Sequence, residues 1–157
     1  MISVLFVCLG NICRSPMAEA VFRHQLEEAG LEKKIQVDSA GTGDWHIGEP
    51  PHTGTQNLLR EHGISFQGIH ARQIQSEDFT SFDYLIVMDE SNFTNVTALD
   101  QAASSRVHRL VDFIPDTTYK EVPDPYFTGD FEETYQLVKA GCQGILRMIY
   151  EKHNLPY

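Results

Sequence analysis

Positive charge is scarce in this sequence: 12 Lys and Arg stand against 22 Asp and Glu over 157 residues, a formal charge of -10. A surface for nucleic acid needs clustered cations, so no nucleic-acid partner is expected. An anionic ligand has to be met by a local pocket that overrides the global field. Cysteine is sparse too. There are three, an odd number, and Cys8 and Cys13 lie five apart near the start. That pattern fits reduced cytoplasmic thiols better than a secreted disulfide framework. No apolar run approaches the roughly 20 residues of a membrane span. The opening MISVLFVCLGNICR lacks a basic start followed by a cleavable apolar stretch, so a cytoplasmic location without membrane contact is expected. No histidine pairs with cysteine at metal-ligand spacing, and no metal or other cofactor is expected. Repeats, low-complexity tracts and long linkers are missing. What remains is a globular composition, 41% hydrophobic and 22% charged. It suits one domain, residues 1–157, with a core that needs no staples.

The hydrophobic pattern predicts strands alternating with helices. Residues 2–8 (ISVLFVC) are almost continuously apolar, as in a strand buried on both faces of a parallel sheet. Ser15-Pro16 predicts a helix start, with Ser15 as cap and Pro16 at the first helical position. Ala18, Val21, Phe22, Leu26 and Ala29 keep helical spacing until Gly30. Strands are predicted at 35–40, 83–89 and, more weakly, 106–113, with a helix at about 53–62. Residues 115–130 read as irregular. Phe131, Tyr135, Val138, Cys142, Ile145 and Ile149 step by 4, 3, 4, 3, 4, which predicts a long helix with Cys142 in the core. The expected fold is α/β, a four-stranded parallel sheet with helices on both faces. In such sheets ligands bind at the carboxyl ends of the strands, here Cys8 and Asp89.

The stretch Cys8-Leu9-Gly10-Asn11-Ile12-Cys13-Arg14-Ser15 joins the first strand to the first helix. Gly10 and Asn11 tolerate positive φ, so the backbone can curl with its N–H groups inward. Such a nest, closed by a helix amino terminus, binds an oxyanion. Arg14 adds a planar fork that holds two phosphate oxygens. Cys8 would lie beneath the anion, where the same positive partial charges favour its thiolate and Ser15 can donate to it. The competing reading is a buried structural cysteine before an ordinary turn.

VCLGNICRSPMAEAVF (7–22) resembles the signature of the low-molecular-weight protein tyrosine phosphatases. The likeness continues through DSAGTGDW and GEPPH (38–52), HARQI (70–74), VMDESN (87–92) and VPDPYFTGDFEETY (122–135). It implies Cys8 as nucleophile, Arg14 as phosphate ligand, Ser15 as the group that tunes the thiolate, and a loop of Leu9, Gly10, Asn11, Ile12 and Cys13 around the phosphate. It implies a left-handed Asn11 held by a network that includes Ser39 and His70, and Asp89 as a support of the loop. Asp124 matches the family's acid, with Tyr126 and Phe127 on one side of the substrate ring and Trp45 opposite. Cys13 is either a packing residue or a redox partner that protects Cys8. The implied substrate is a phosphotyrosine-bearing protein, and the exposed Trp45 and Tyr126 leave either a monomer or weak self-association. A protein arginine phosphatase on the same scaffold is the main alternative, although that branch usually carries threonine where this chain has Ile12. A thiol-dependent arsenate reductase would need relay cysteines, and none lies between Cys13 and Cys142. A non-catalytic phosphate-binding module would not need Asp124.

Overall fold

The computed structural model describes residues 1–155. Its apolar runs form four strands, β1 (Ile2–Cys8), β2 (Ile35–Gly41), β3 (Tyr84–Val87) and β4 (Val107–Arg109). They pair in the order β2-β1-β3-β4, and every pairing is parallel. β1 is therefore an interior strand, and its last residue, Cys8, lies level with Gly41 of β2. The helices are α1 (Arg14–Glu28), α2 (Thr53–Glu61), α3 (Asp78–Ser81), α4 (Glu90–Leu99), α5 (Pro125–Thr128) and α6 (Phe131–His153).

Strand alternation divides the core into two. Val4, Phe6, Tyr84 and Ile86 face a cluster that holds Phe22 of α1, Leu59 of α2 and Val138 and Ile145 of α6. Leu5, Val7, Leu85 and Val87 face the other side, against Phe79, Phe82 and Val96. The expected α/β sheet, covered on both faces, is thus observed. Burying each large side chain of this kind contributes about 1.5–3 kcal/mol. α1 is enclosed unusually fully: residues 14 to 22 are buried without a break. Its amino terminus is thereby clamped beneath the loop that follows β1.

Four details differ from the sequence reading. α1 begins at Arg14 with Cys13 as its cap residue, so Ser15 is not the cap and Pro16 is the third helical residue, still within the first turn, where proline is tolerated. Ser15 cannot cap because its hydroxyl is engaged by Cys8 and Asn11. β3 is shorter than 83–89 because Asp89 leaves the strand to cap α4. The fourth strand has three residues and passes into a 3-10 turn, Leu110–Phe113. Leu110 and Val111 are both buried in the same core cluster, the one on the α6 side, whereas strand alternation would send them to opposite faces. The irregular segment 115–130 contains the short α5.

α6 lies against that 3-10 turn through two glycines. A Cβ on Gly144 would stand 1.9 Å from the Phe113 carbonyl oxygen. On an open helix surface Gly→Ala would stabilise by about 1 kcal/mol. Here the clash should dominate, and Gly144→Ala is expected to cost about 3 kcal/mol. Urea denaturation reads this directly, and an unchanged or raised midpoint would contradict the packing.

Candidate active site

The loop between β1 and α1 is fixed from outside by its own carbonyls. Cys8 O accepts from Thr42 N–H (2.9 Å), Leu9 O from Gly43 N–H (2.9 Å), and Ile12 O from His52 N–H (2.7 Å). Cys13 O accepts from Met17 N–H and from Thr55 Oγ1. With the carbonyls turned outward, no backbone N–H of residues 9–14 donates to an acceptor among the described residues. Those donors form a ring at the amino terminus of α1, the arrangement an oxyanion needs.

Asn11 holds the turn. Its φ is 57°, and it is buried. The Arg72 N–H donates to Oδ1 at 2.9 Å. A backbone N–H can only donate, so the oxygen of the amide faces Arg72 and the nitrogen faces the serines. Nδ2 then donates to Ser15 Oγ at 2.7 Å and to Ser39 Oγ at 3.0 Å. Ser15, already accepting, has its own hydrogen free for Cys8 Sγ, 2.9 Å away. Arg72 is itself clamped, by Asp38 through Nε (3.1 Å) and by both oxygens of Asp78 (2.9 and 3.1 Å).

Arg14 is 3% exposed and enters from the helix end. Nη1 donates to Asp89 Oδ2 at 2.8 Å and to Val122 O at 2.9 Å, and Nη2 to Asp124 Oδ2 at 3.4 Å. Burial works against its charge, but Cys8, Asp124 and Asp89 overcome that, and the guanidinium is held above its usual range. Asp89 has two tasks. Oδ1 caps α4 by accepting from Asn92 N–H at 2.7 Å, while Oδ2 orients Arg14. Asp124 is divided in the same way. Oδ1 caps α5 through Tyr126 N–H at 3.0 Å, which leaves Oδ2 toward Arg14 and the pocket.

A pocket of about 160 Å³ opens over this floor, lined by Cys8, Leu9, Gly10, Ile12, Cys13, Arg14, Trp45, His46, Asp124, Tyr126 and Phe127. Its rim is apolar and exposed: Trp45 66%, Tyr126 58% and Phe127 78%. The Trp45 ring lies across Gly43, where a Cβ would come within 1.9 Å of it. Tyr126 and Phe127 meet edge to face at 5.3 Å. Cys13 is buried, its thiol pushed up to about 12 by desolvation first and by Asp124 second, so it stays protonated at neutral pH.

A family model described as low molecular weight phosphotyrosine protein phosphatase matches residues 3–155. The chain belongs to the low molecular weight phosphotyrosine protein phosphatase family. The low molecular weight protein-tyrosine-phosphatase YfkJ of Bacillus subtilis is 53% identical over 156 residues, covering 99% of this chain and 100% of that one. Its crystal structure superposes with a TM-score of 0.95 over 97% of this chain and 96% of that chain, at 54% identity. PtpA of Staphylococcus saprophyticus is 45% identical, covering 99% of this chain and 98% of its own. DARP, a Drosophila arginine phosphatase, superposes with a TM-score of 0.84 at 33% identity, over 92% of this chain and 96% of its own. By these relationships the protein is a protein-tyrosine phosphatase, a hydrolase whose substrates are phosphoproteins. No helix among its described residues is long and apolar enough to cross a membrane.

The residues expected in the phosphatase site gather in one place, with one exception. His70 is exposed and makes no bond to Asn11; the Arg72 backbone N–H, two residues on, occupies that position. The HARQI segment does reach Asn11, but through a main-chain donor, which leaves no trace in residue type. His46 was also missed. It lines the pocket, contacts Glu49, and its Cδ2 would stand 3.1 Å from a Cβ on Gly10. Glu19 accepts from Ser39 Oγ at 2.6 Å, and neither its residue type nor its spacing marks it out in the sequence.

Gly41 is the contact between sheet and loop. A Cβ there would lie 2.8 Å from Leu9 O and 3.1 Å from Asn11 Cβ, so the loop would have to move. Since a misplacement of about 1 Å can cost about 100-fold, Gly41→Ala is expected to lower kcat/KM by at least about tenfold. The check is steady-state kinetics on p-nitrophenyl phosphate beside a circular dichroism melt. A folded variant of wild-type activity would mean that the loop does not depend on this approach.

Proposed function

We propose that this phosphatase hydrolyses phosphotyrosine in proteins, and aryl phosphates generally, through a phosphocysteine at Cys8. The observation that carries the reading is the Ser15 hydrogen aimed at Cys8 Sγ beneath a ring of unpaired backbone donors, with Arg14 beside it. In the first step Sγ attacks phosphorus and the bond to the phenolic oxygen breaks. Backbone donors and the Arg14 fork stabilise the charge on the equatorial oxygens. A phenol has a pKa of about 10, so its oxygen leaves best with a proton. Asp124, on the pocket wall, supplies it. In the second step Asp124 takes a proton from water, the water oxygen bonds to phosphorus, and Cys8 departs as thiolate, stabilised by Ser15. Phosphate and the original enzyme result. No metal is required.

Trp45, Tyr126 and Phe127 support an aryl ester, since their faces and edges suit a phenyl ring. Ile12 places an apolar branched side chain on the pocket lining, which favours the ring over the polar guanidinium of phosphoarginine. Turnover of phosphotyrosine and phosphoarginine peptides side by side separates the two substrates.

Cys8→Ser is expected to reduce turnover by at least about 10^4-fold, the scale on which loss of a nucleophile acts. Inorganic phosphate should still bind, because the backbone donors remain. Arg14→Lys should lose about 100-fold or more, as an ammonium cannot replace the fork. Calorimetric titration with inorganic phosphate, measured beside turnover, tests both; a Cys8→Ser enzyme that turns over normally would refute the assignment.

Asp124→Ala is expected to slow phosphoryl transfer by about 100- to 10^4-fold for poor leaving groups and much less for good ones. Across a series of aryl phosphates its rate should depend more steeply on leaving-group pKa than that of the wild type. Parallel lines would place the proton donor elsewhere.

A further inference from the structure

Glu19 is a carboxylate in an uncommon place. It lies on α1 within the unbroken buried run 14–22 and is 8% exposed. Acidic residues are rarely so enclosed unless paired. Yet no lysine or arginine among the described residues bonds to it directly. Its bonded partner is Ser39 Oγ, which donates to Oε1 at 2.6 Å. Because Ser39 spends its hydrogen on Glu19, its oxygen is free to accept from Asn11 Nδ2 at 3.0 Å. From Asn11 the chain runs to Ser15 at 2.7 Å and on to Cys8 Sγ at 2.9 Å. Every side chain in this line is nine-tenths or more buried. The two hydrogens of Asn11 Nδ2 go one to each serine, and each serine hydroxyl has one acceptor for its own hydrogen, so the direction of every bond follows from its neighbour.

We propose that Glu19 is a positioning residue for the phosphatase reaction: its carboxylate, by accepting from Ser39, anchors the chain that holds Asn11 in its left-handed turn and aims the Ser15 hydrogen at Cys8. The proposal rests on Cys8 being the nucleophile, as proposed above. An ionised acceptor makes a shorter and stronger bond than a neutral one and polarises the bonds beyond it. The grip on the loop is therefore tightest when Glu19 is charged.

The surroundings set where that charge appears. Burial raises the Glu19 carboxyl from 4.5 to about 7, Ser39 opposes the rise, Asp38 on β2 adds to it, and Arg23 on α1 and Arg72 beside Asn11 reduce it. The folded protein thus retains a proton that the unfolded chain gives up. Its stabilising effect is complete below about pH 4.5 and is lost as the pH rises through about 7. Ionised Glu19 costs the fold stability, while in this proposal it serves the loop.

Glu19→Gln keeps the shape and an acceptor oxygen but removes the charge, so it imitates the protonated state at every pH. At pH 8 its kcat on p-nitrophenyl phosphate is expected to fall by about fivefold with KM within about twofold, the scale of exchanging a charge-assisted hydrogen bond for a neutral one. At pH 5.5 the two enzymes should agree, and the wild-type to variant ratio should rise with a midpoint near 7. The variant should also melt several degrees higher than wild type at pH 8 and not at pH 5. A side chain with a merely structural role would not combine lower turnover with higher stability. Ser39→Ala cuts the same line at its next link and should abolish the inflection near pH 7 with Glu19 intact. The proposal is overturned if Glu19→Gln has wild-type kcat at pH 8, if its loss is the same at both pH values, or if Ser39→Ala keeps the wild-type inflection. Cys8→Ser turnover is a separate readout, so failure here is distinguishable from failure of the nucleophile assignment.

Discussion

The side-chain amide of Asn11 ties the loop to the rest of the molecule. A left-handed φ of 57° is costly for most residues, and asparagine adopts it more readily than others. Its oxygen is claimed by the Arg72 N–H and its nitrogen by two serines. Rotating that amide by half a turn would set an N–H2 against an N–H and leave the serines without their donor. The orientation of a single group therefore fixes the loop curvature, the inward direction of its backbone donors and the polarity of Ser15. Arg72 is held in turn by Asp38 and Asp78, so the restraint reaches from the loop to β2 and α3.

The constraint also explains how a chain with a formal charge of -10 can receive an anion. Arg14 does not offer an uncompensated cation, because Asp89 and Asp124 both contact it. The attraction has to come from short-range, oriented dipoles at the start of α1, which act over a few ångströms and are insensitive to net charge. That is a reason for the rigidity of the loop. Dipoles stabilise developing charge only when they are already aimed at it.

Much of this was legible in the residues. ISVLFVC reads as a doubly buried strand because both of its faces are apolar, and the core clusters on the two sides of β1 agree. The Cys8–Ser15 string reads as an anion loop because its glycine, asparagine and arginine each have a geometric reason to be there. Asp89 stood out through its position at a strand end, and Asp124 through its match to the family's acid motif. The sequence was silent where the bond comes from the main chain or where a residue breaks its local pattern. The family resemblance pointed to the His70 side chain, while the donor to Asn11 is the backbone N–H of Arg72. Glu19 sits in a helix whose other residues give no sign that all its sides are covered. That fact emerges only when the sheet, α2 and α6 close around α1. Ser15 followed the capping rule in sequence and broke it in space, because two tertiary partners outcompeted the local one.

The central claim is a covalent bond between Cys8 and the transferred phosphoryl group. Acid quenching of the wild-type enzyme during turnover of p-nitrophenyl phosphate, followed by proteolysis and mass spectrometry, tests it without a mutation. The expected result is a mass increase of one phosphoryl group on the peptide that carries Cys8, located at that sulfur and decaying at the rate of turnover. A phosphoryl group found instead on a histidine or on Ser15, or turnover with no phosphoenzyme under conditions that preserve thiophosphates, would contradict the account.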